Sequence, residues 1–224
     1  MTSFALHADM LLHGAPEPDA ARRPVRVLVR LAAFLVIGGA LYGAVMGTFG
    51  GVVGQHVWQV VFSASKVPLL LLGTFLISLP SFFVLNTLLG VRGDFGQVLR
   101  ALVAAQAGLT LVLAALAPYT AFWYASCGDY ALAILFNGAL FAVASLAGQF
   151  HLRRAYRPLV ARNPRHRLLL RVWLVLYVFV GIQMGWVLRP FVGDPSLPPQ
   201  FLREGAWGNA YVVVGRMIWS VLTR

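Results

Sequence analysis

Long apolar runs alternate with short polar segments along this chain, and one of these runs, residues 67–89, holds no ionisable residue. Its 23 residues would form a helix about 34 Å long at roughly 1.5 Å per residue, enough to cross a hydrocarbon layer of about 30 Å. Other apolar runs predict spans at about 31–48, 101–117, 131–149 and 172–188. The pattern therefore predicts an all-α, polytopic transmembrane helical bundle.

A shorter apolar run at 209–222 is either a tilted sixth span, with Arg216 facing the bundle, or an amphipathic helix lying on the membrane surface. We therefore expect five to six spans, with residues 22–224 forming one transmembrane domain. Residues 1–21 form a separate segment before it. They do not match a signal peptide, because their basic residues follow the apolar ones instead of preceding them.

Composition points to the same class of protein. Of the 224 residues, 59% are hydrophobic and 11% are charged, against roughly 25% charged residues in soluble domains. The mean hydropathy is +0.77. A soluble fold of this size would need far more polar surface. Arginine supplies 17 of the 18 basic residues, which together with the Ala, Leu, Val and Gly bias suggests a GC-rich bacterial genome and hence the bacterial inner membrane.

The net charge of +11 would also suit a nucleic-acid-binding protein, but here the charge lies in the short segments between apolar runs. That distribution indicates membrane orientation, and no nucleic acid is expected as a partner. With a cytoplasmic N-terminus, the inner segments carry thirteen arginines and the outer segments three cationic residues, Lys66, Arg189 and Arg203. Because cytoplasmic loops are enriched in Lys and Arg, we predict that the N-terminus is cytoplasmic.

Glycine recurs at every fourth position through the first span and just beyond it, at Gly39, Gly43, Gly47 and Gly51. On a helix these residues share one face, and small residues there allow another backbone to approach closely. The spacing predicts a helix-packing face. The partner helix is either in the same chain or in another subunit.

The second span begins at Lys66 and contains Pro68 and Pro80. Lys66 is expected to extend its stem toward the lipid headgroups. Pro68 is expected in the first helical turn, where its missing N–H does no harm, and Pro80 should kink the helix. The preceding residues 50–65 predict a separate short helix at the membrane interface.

Polar residues within the spans are candidates for interhelical hydrogen bonds or for a transport path. They are Asn86, Gln106, Asn137, Gln183 and Arg216. No aspartate or glutamate lies within a predicted span, so proton or cation coupling would lack its usual carrier.

The most basic segment, 151–171, is predicted to be a cytoplasmic loop with seven arginines and no acid. It either contacts anionic lipid or an acidic partner, or serves only as a positive-inside signal. The candidate headgroup ligands in it are Arg153, Arg154, Arg157, Arg162, Arg165 and Arg167. Lys66 and Arg189 are headgroup candidates at the opposite face.

Residues that carry catalysis or bind metal do not cluster in this sequence. A single cysteine, Cys127, excludes an intrachain disulfide and a cysteine-based metal site. The five histidines are scattered, and His151 and His166 have no acid nearby in the sequence. We therefore expect no metal, no cofactor and no enzymatic activity.

Two blocks, SKVPLLLLGTFLISLPSFFVLNTLLG at 65–90 and GIQMGWVLRPFVGDP at 181–195, resemble a class of uncharacterised bacterial polytopic membrane proteins and, more distantly, the Yip1-like five-helix proteins. The resemblance implies a helical membrane protein and assigns no activity. It places Lys66, Pro68, Gln183, Trp186, Arg189 and Pro190 in recurring blocks.

Two functions remain open at this stage. The first is a non-catalytic integral membrane subunit or scaffold that packs with other membrane helices or with further copies of itself and contacts anionic lipid or an acidic partner through 151–171. The alternative is a small transporter or channel for an anion or lipid, with the kinked second span lining the path.

Overall fold

The computed structural model describes residues 24–203 and 208–212, and within them the regular structure is helical, with no strand. Five long helices follow one another: α1 Pro24–Gly47, α2 Val57–Leu88, α3 Phe95–Ser126, α4 Tyr130–Arg162 and α5 Arg165–Leu188. All five are long and apolar enough to cross a membrane. The predicted all-α membrane bundle is therefore confirmed. Segment 1–21, Arg216 and all of 209–222 beyond residue 212 lie outside the described residues.

Short 3₁₀ turns lie between some of these helices, at Thr48–Gly50, Gly54–His56 and Arg92–Asp94. Because α1 to α5 alternate in direction, the bundle has two ends. We call one the arginine-rich end; it holds the starts of α1, α3 and α5 and the ends of α2 and α4. The other, the loop end, holds residues 48–56, 127–129 and 189–203.

Three helices extend well beyond the predicted apolar runs. Residues 57–65 are not a separate interfacial helix, since α2 is continuous from Val57 and passes through Pro68 and Pro80. Pro68 is therefore interior, not in the first turn as predicted. Likewise, α3 continues past Pro118. Backbone groups in hydrocarbon have no water to bond, so continuing the helix is the favoured way to satisfy them. This holds even though each proline lacks an N–H and therefore removes one helical hydrogen bond.

The prediction that residues 151–171 form a loop is also wrong. Helix α4 continues to Arg162 and α5 begins at Arg165, which leaves a tight turn at Asn163 and Pro164. The Asn163 side chain accepts a hydrogen bond from the Arg165 backbone N–H at 3.1 Å. This segment is therefore a helical hairpin, which holds its arginines on defined helix faces.

Helix α1 packs against both α2 and α3, α4 packs against α3, and α5 packs against α2. One buried cluster near the loop end includes Tyr42, Val67 and Leu113. Another, near the arginine-rich end, includes Phe82 and Trp173. Direct contacts between α4 and α5 are few, so these two helices border a gap.

The glycine face of α1 is used within the chain. A Cβ on Gly39 would lie 3.3 Å from the Pro68 ring, one on Gly47 would lie 2.7 Å from the Val60 Cα, and one on Gly43 would collide with the Ser63 carbonyl. Gly51 does not belong to this face: it follows the helix with φ +100° and has open space around it. Its predicted packing role is wrong, because the helical spacing ends before it.

Candidate functional site

A polar face of α2 holds the loop end together. Gln59, Ser63 and Lys66 are spaced by four and three residues, which places them on one side of a helix. All three are buried. The face is directed at the segment 189–203, which crosses the loop end after α5.

Lys66 binds backbone carbonyls of that segment. Its Nζ donates to the Pro190 carbonyl at 2.6 Å and to the Gln200 carbonyl at 3.3 Å. It also lies 5.2 Å from the centre of the Phe201 ring, within the range of a cation–π contact. The side chain is 0% exposed, so the expectation that it extends to the headgroups is wrong. A buried ammonium needs hydrogen-bond acceptors, and the loop carbonyls provide them.

The other two members of this face bind the same segment. The Ser63 hydroxyl donates to the Phe191 carbonyl. The Gln59 amide donates to the Ser63 hydroxyl at 3.1 Å and to the Pro190 carbonyl at 3.4 Å. The three side chains thus satisfy carbonyls of a turn-rich segment whose own backbone forms few hydrogen bonds.

Arg189 is engaged separately from Lys66. Its guanidinium carbon lies 3.4 Å from the centre of the Trp186 ring. Asp194, on the same segment, accepts hydrogen bonds from the backbone and hydroxyl of Ser196 at 3.0 and 2.6 Å, and these lower the pKa of its carboxyl below the usual 3.8. Lys66 and Arg189, the two headgroup candidates at this end, therefore do not form a joint site, since each of them already has its own contacts.

The polar residues inside the spans are distributed over several sites. Asn137 is buried between helices: its Oδ1 accepts from the Tyr42 hydroxyl at 2.8 Å and its Nδ2 donates to the Tyr124 hydroxyl at 2.6 Å. Gln106 on α3 accepts from the Tyr177 hydroxyl on α5 at 3.0 Å. Both residues link helices, as side-chain amides within membranes commonly do.

Asn86 and Gln183 lie elsewhere. The Asn86 amide donates to the Phe82 carbonyl of its own helix at 2.9 Å. Gln183 donates to the Gly208 carbonyl at 3.0 Å and accepts from the Ala210 N–H at 3.1 Å. Of the described side chains proposed to line a path, Gln106 alone borders the cavity of about 510 Å³ among α2, α3, α4 and α5. In the described residues they do not form one continuous route.

At the arginine-rich end, α4 buries Leu152, Tyr156 and Leu159 against the bundle. Arginines occupy the positions between them. Exposed guanidinium groups at this end belong to Arg153, Arg154, Arg157, Arg162, Arg165 and Arg167. Arg165 is already engaged, because its Nη1 donates to the Leu89 carbonyl at the end of α2 at 2.8 Å.

His166 has an acidic partner that the sequence did not suggest. Its Nε2 lies 3.0 Å from Asp94 Oδ2, although 72 residues separate them. The imidazole is completely buried beside the Tyr156 ring. The sequence could have placed the two residues near each other in one way, since alternating spans bring both segments to the same end of the bundle. The described residues hold no group of three or more metal ligands, and the pair ties α5 to the turn before α3.

Comparison with protein-family models, curated proteins and solved structures finds no match for this chain. The resemblance to Yip1-like proteins therefore stays a prediction.

Proposed function

We propose that this integral membrane protein is a non-catalytic subunit or scaffold of the bacterial inner membrane. The α4–α5 hairpin, as we define it here, runs from Leu152 to Leu169 across the turn at Asn163, and in this proposal it binds anionic lipid headgroups at the cytoplasmic surface. The observation that carries the proposal is a set of exposed arginines held on a folded hairpin, with no acidic partner among the described residues.

The hairpin arginines are close enough to repel one another. Arg153 and Arg157 are four residues apart on α4, and Arg154 and Arg157 are three apart, spacings at which like charges destabilise a helix. Asp94, a described acid at this end, is paired with His166. Asp129, another described acid, caps α4 at the loop end through the Leu132 N–H. An external anion is therefore the natural counter-charge.

Anionic headgroups suit this surface. Each Lys or Arg near an anionic membrane surface contributes about 1 kcal/mol. The buried positions Leu152, Tyr156 and Leu159 fix the hairpin against the bundle, so its arginines stay close to the level of the membrane surface. The orientation that this requires agrees with the positive-inside distribution of arginine.

The scaffold part of the proposal rests on faces that the chain leaves uncovered. Only 11% of the apolar stretch of α5 and 22% of that of α4 are buried, compared with 50% in α3. These surfaces are available for other membrane helices or a second copy. The glycine face of α1 is already occupied by α2. Transport has weaker support, because the polar residues of the spans are bonded at separate places.

Lipid titration of the full chain in mild detergent tests the proposal. Native mass spectrometry should show tighter binding of phosphatidylglycerol than of phosphatidylcholine. Replacing Arg153, Arg154 and Arg157 together by Gln removes three charges, worth about 3 kcal/mol, and should raise the Kd for phosphatidylglycerol roughly a hundredfold.

The matched control replaces the same three arginines by Lys, which keeps the charge and should retain most of the affinity. Equal binding by the Gln variant and the unaltered protein would contradict the proposal. So would a preparation that retains neither lipid nor any protein partner. Co-purification of an acidic protein that is lost only in the Gln variant would support the scaffold role with a protein in place of lipid.

A further inference from the structure

A cavity of about 510 Å³ lies among α2, α3, α4 and α5. It occupies the gap left where α4 and α5 diverge beyond their hairpin. Trp173 and Leu152 are among its lining residues at the side near the hairpin, and Phe141 and Ile182 are among those farther along. The volume falls within the range of roughly 300–1,000 Å³ typical of small-molecule sites.

The cavity opens sideways. Its exposed lining residues include Leu146, Val178 and Ile182, which are 70%, 48% and 49% exposed. They lie within the apolar stretches of α4 and α5, so the opening faces hydrocarbon and not water. An occupant would therefore enter from the bilayer.

A few uncharged polar groups line the otherwise apolar wall. Thr74 is 1% exposed, and its hydroxyl has no hydrogen-bond partner in the part of the chain that the structure describes. Gln106 and Tyr177, bonded to each other, line the same cavity. A threonine in a helix can donate to the carbonyl one turn back, but the Thr74 hydroxyl does not. Leaving a buried hydroxyl unpaired is unfavourable, and a bound acceptor would remove that cost.

The depth of these groups restricts the ligand. Thr74 lies 17 residues after the start of α2 and 14 before its end, or roughly 26 and 21 Å along the axis at about 1.5 Å per residue. Phospholipid headgroups sit at the membrane surface, too far away to use this hydroxyl. No charged residue is among the described lining residues, which disfavours a charged head.

We propose that this cavity binds a lipophilic molecule with a flat, neutral, carbonyl-bearing head, of the isoprenoid quinone class. Its ring would lie against Trp173 and Tyr177, and the Thr74 hydroxyl would donate to a ring carbonyl. The isoprenoid tail would leave between α4 and α5. This site is separate from the arginines of the hairpin, so it does not depend on the proposed function.

Quenching of tryptophan fluorescence by decylubiquinone tests the site on the full chain in detergent. Quenching should saturate, and the saturable part should be absent from the W173F variant, because Trp173 lines the cavity. Thr74→Val keeps the shape of the side chain but removes its hydroxyl, and should raise the Kd roughly fivefold, in the range of one lost hydrogen bond. The matched control is Thr87→Val on the same helix, where the hydroxyl is exposed and donates to the Phe83 carbonyl; it should leave the Kd unchanged.

A second variant, Ala142→Phe, places a ring at the exposed rim of the cavity and should abolish saturable quenching without disturbing the buried core. Saturable quenching that persists in W173F, or equal Kd values for T74V and the unaltered protein, would overturn the proposal. Competition by a saturated fatty acid methyl ester as strong as that by the quinone would reduce the site to an acyl-chain groove and would also overturn it.

Discussion

Lys66 is an ionisable residue within a membrane-spanning helix, and its described hydrogen-bond partners are backbone carbonyls. Pro190 and Gln200 supply those carbonyls, and the Phe201 ring lies near the ammonium. The same segment would lose its strongest donor if the lysine were removed. At the residue scale, therefore, one charge determines how residues 189–203 are held.

We expect Lys66→Met to loosen this segment. Methionine matches the length of the stem but donates no hydrogen bond, so two carbonyls lose a charged donor, at a cost of about 1–3 kcal/mol. Hydrogen exchange measured by mass spectrometry should become faster in residues 190–203 and change little in α3. The matched control is Ser65→Ala, since Ser65 is exposed and bonds only within its own helix. Unchanged exchange in K66M would mean that Lys66 does not hold the segment.

At the scale of elements, α1 and α2 can pack closely because Gly39, Gly43 and Gly47 have no Cβ. Gly43 faces the Ser63 carbonyl and Gly47 faces Val60, close to the residues that bind the loop-end segment. The same stretch of α2 thus packs on α1 with one side and holds residues 189–203 with another. A change in the α1–α2 distance should therefore also alter the loop end.

Gly47→Ala should lower the stability of the bundle. The new Cβ would lie 2.7 Å from the Val60 Cα, and relieving such overpacking costs typically 1–3 kcal/mol. Thermal unfolding in detergent should show a lower Tm. Gly185→Ala is the control, because a Cβ there meets nothing within 4 Å; its Tm should not fall. A Tm of G47A equal to that of the unaltered protein would show that α1 can shift without cost.

At the scale of the whole molecule, the two ends differ in chemistry. The arginine-rich end carries the exposed hairpin and the buried His166, which pairs with the partly exposed Asp94. The loop end is closed by the polar face of α2 and by aromatic side chains such as Tyr124 and Tyr130, which pack around Phe49. The cavity opens between these ends, toward the hydrocarbon.

The single cysteine gives a direct test of orientation. Cys127 lies at the loop end and is partly exposed, so a membrane-impermeant maleimide should label it in intact cells. In a Cys127→Ser, Arg157→Cys variant, labelling should require permeabilised cells, because the hairpin is predicted to be cytoplasmic. The reverse pattern would contradict the positive-inside assignment and the placement of the lipid-binding hairpin.

Membrane residence and the helical class could be predicted from the sequence, because both depend on local composition. A run such as 67–89 is apolar whatever it packs against, and in hydrocarbon its backbone must bond within its own helix. The glycine spacing likewise predicted a packing face, although Gly51 lies outside it. The helix ends were less accurate, since polar residues such as Gln59 and Arg153 continue helices beyond the apolar runs.

Only the tertiary structure decided the partners of the polar groups. The spacing of Gln59 and Ser63 places them on one side of a helix, but it does not show that loop carbonyls cover that side. The pairing of His166 with Asp94, and the unpaired Thr74 hydroxyl beside an open cavity, depend on how distant helices meet. Hydrophobic runs are local properties of the chain, whereas hydrogen-bond partners and cavities arise from contacts between residues far apart in it.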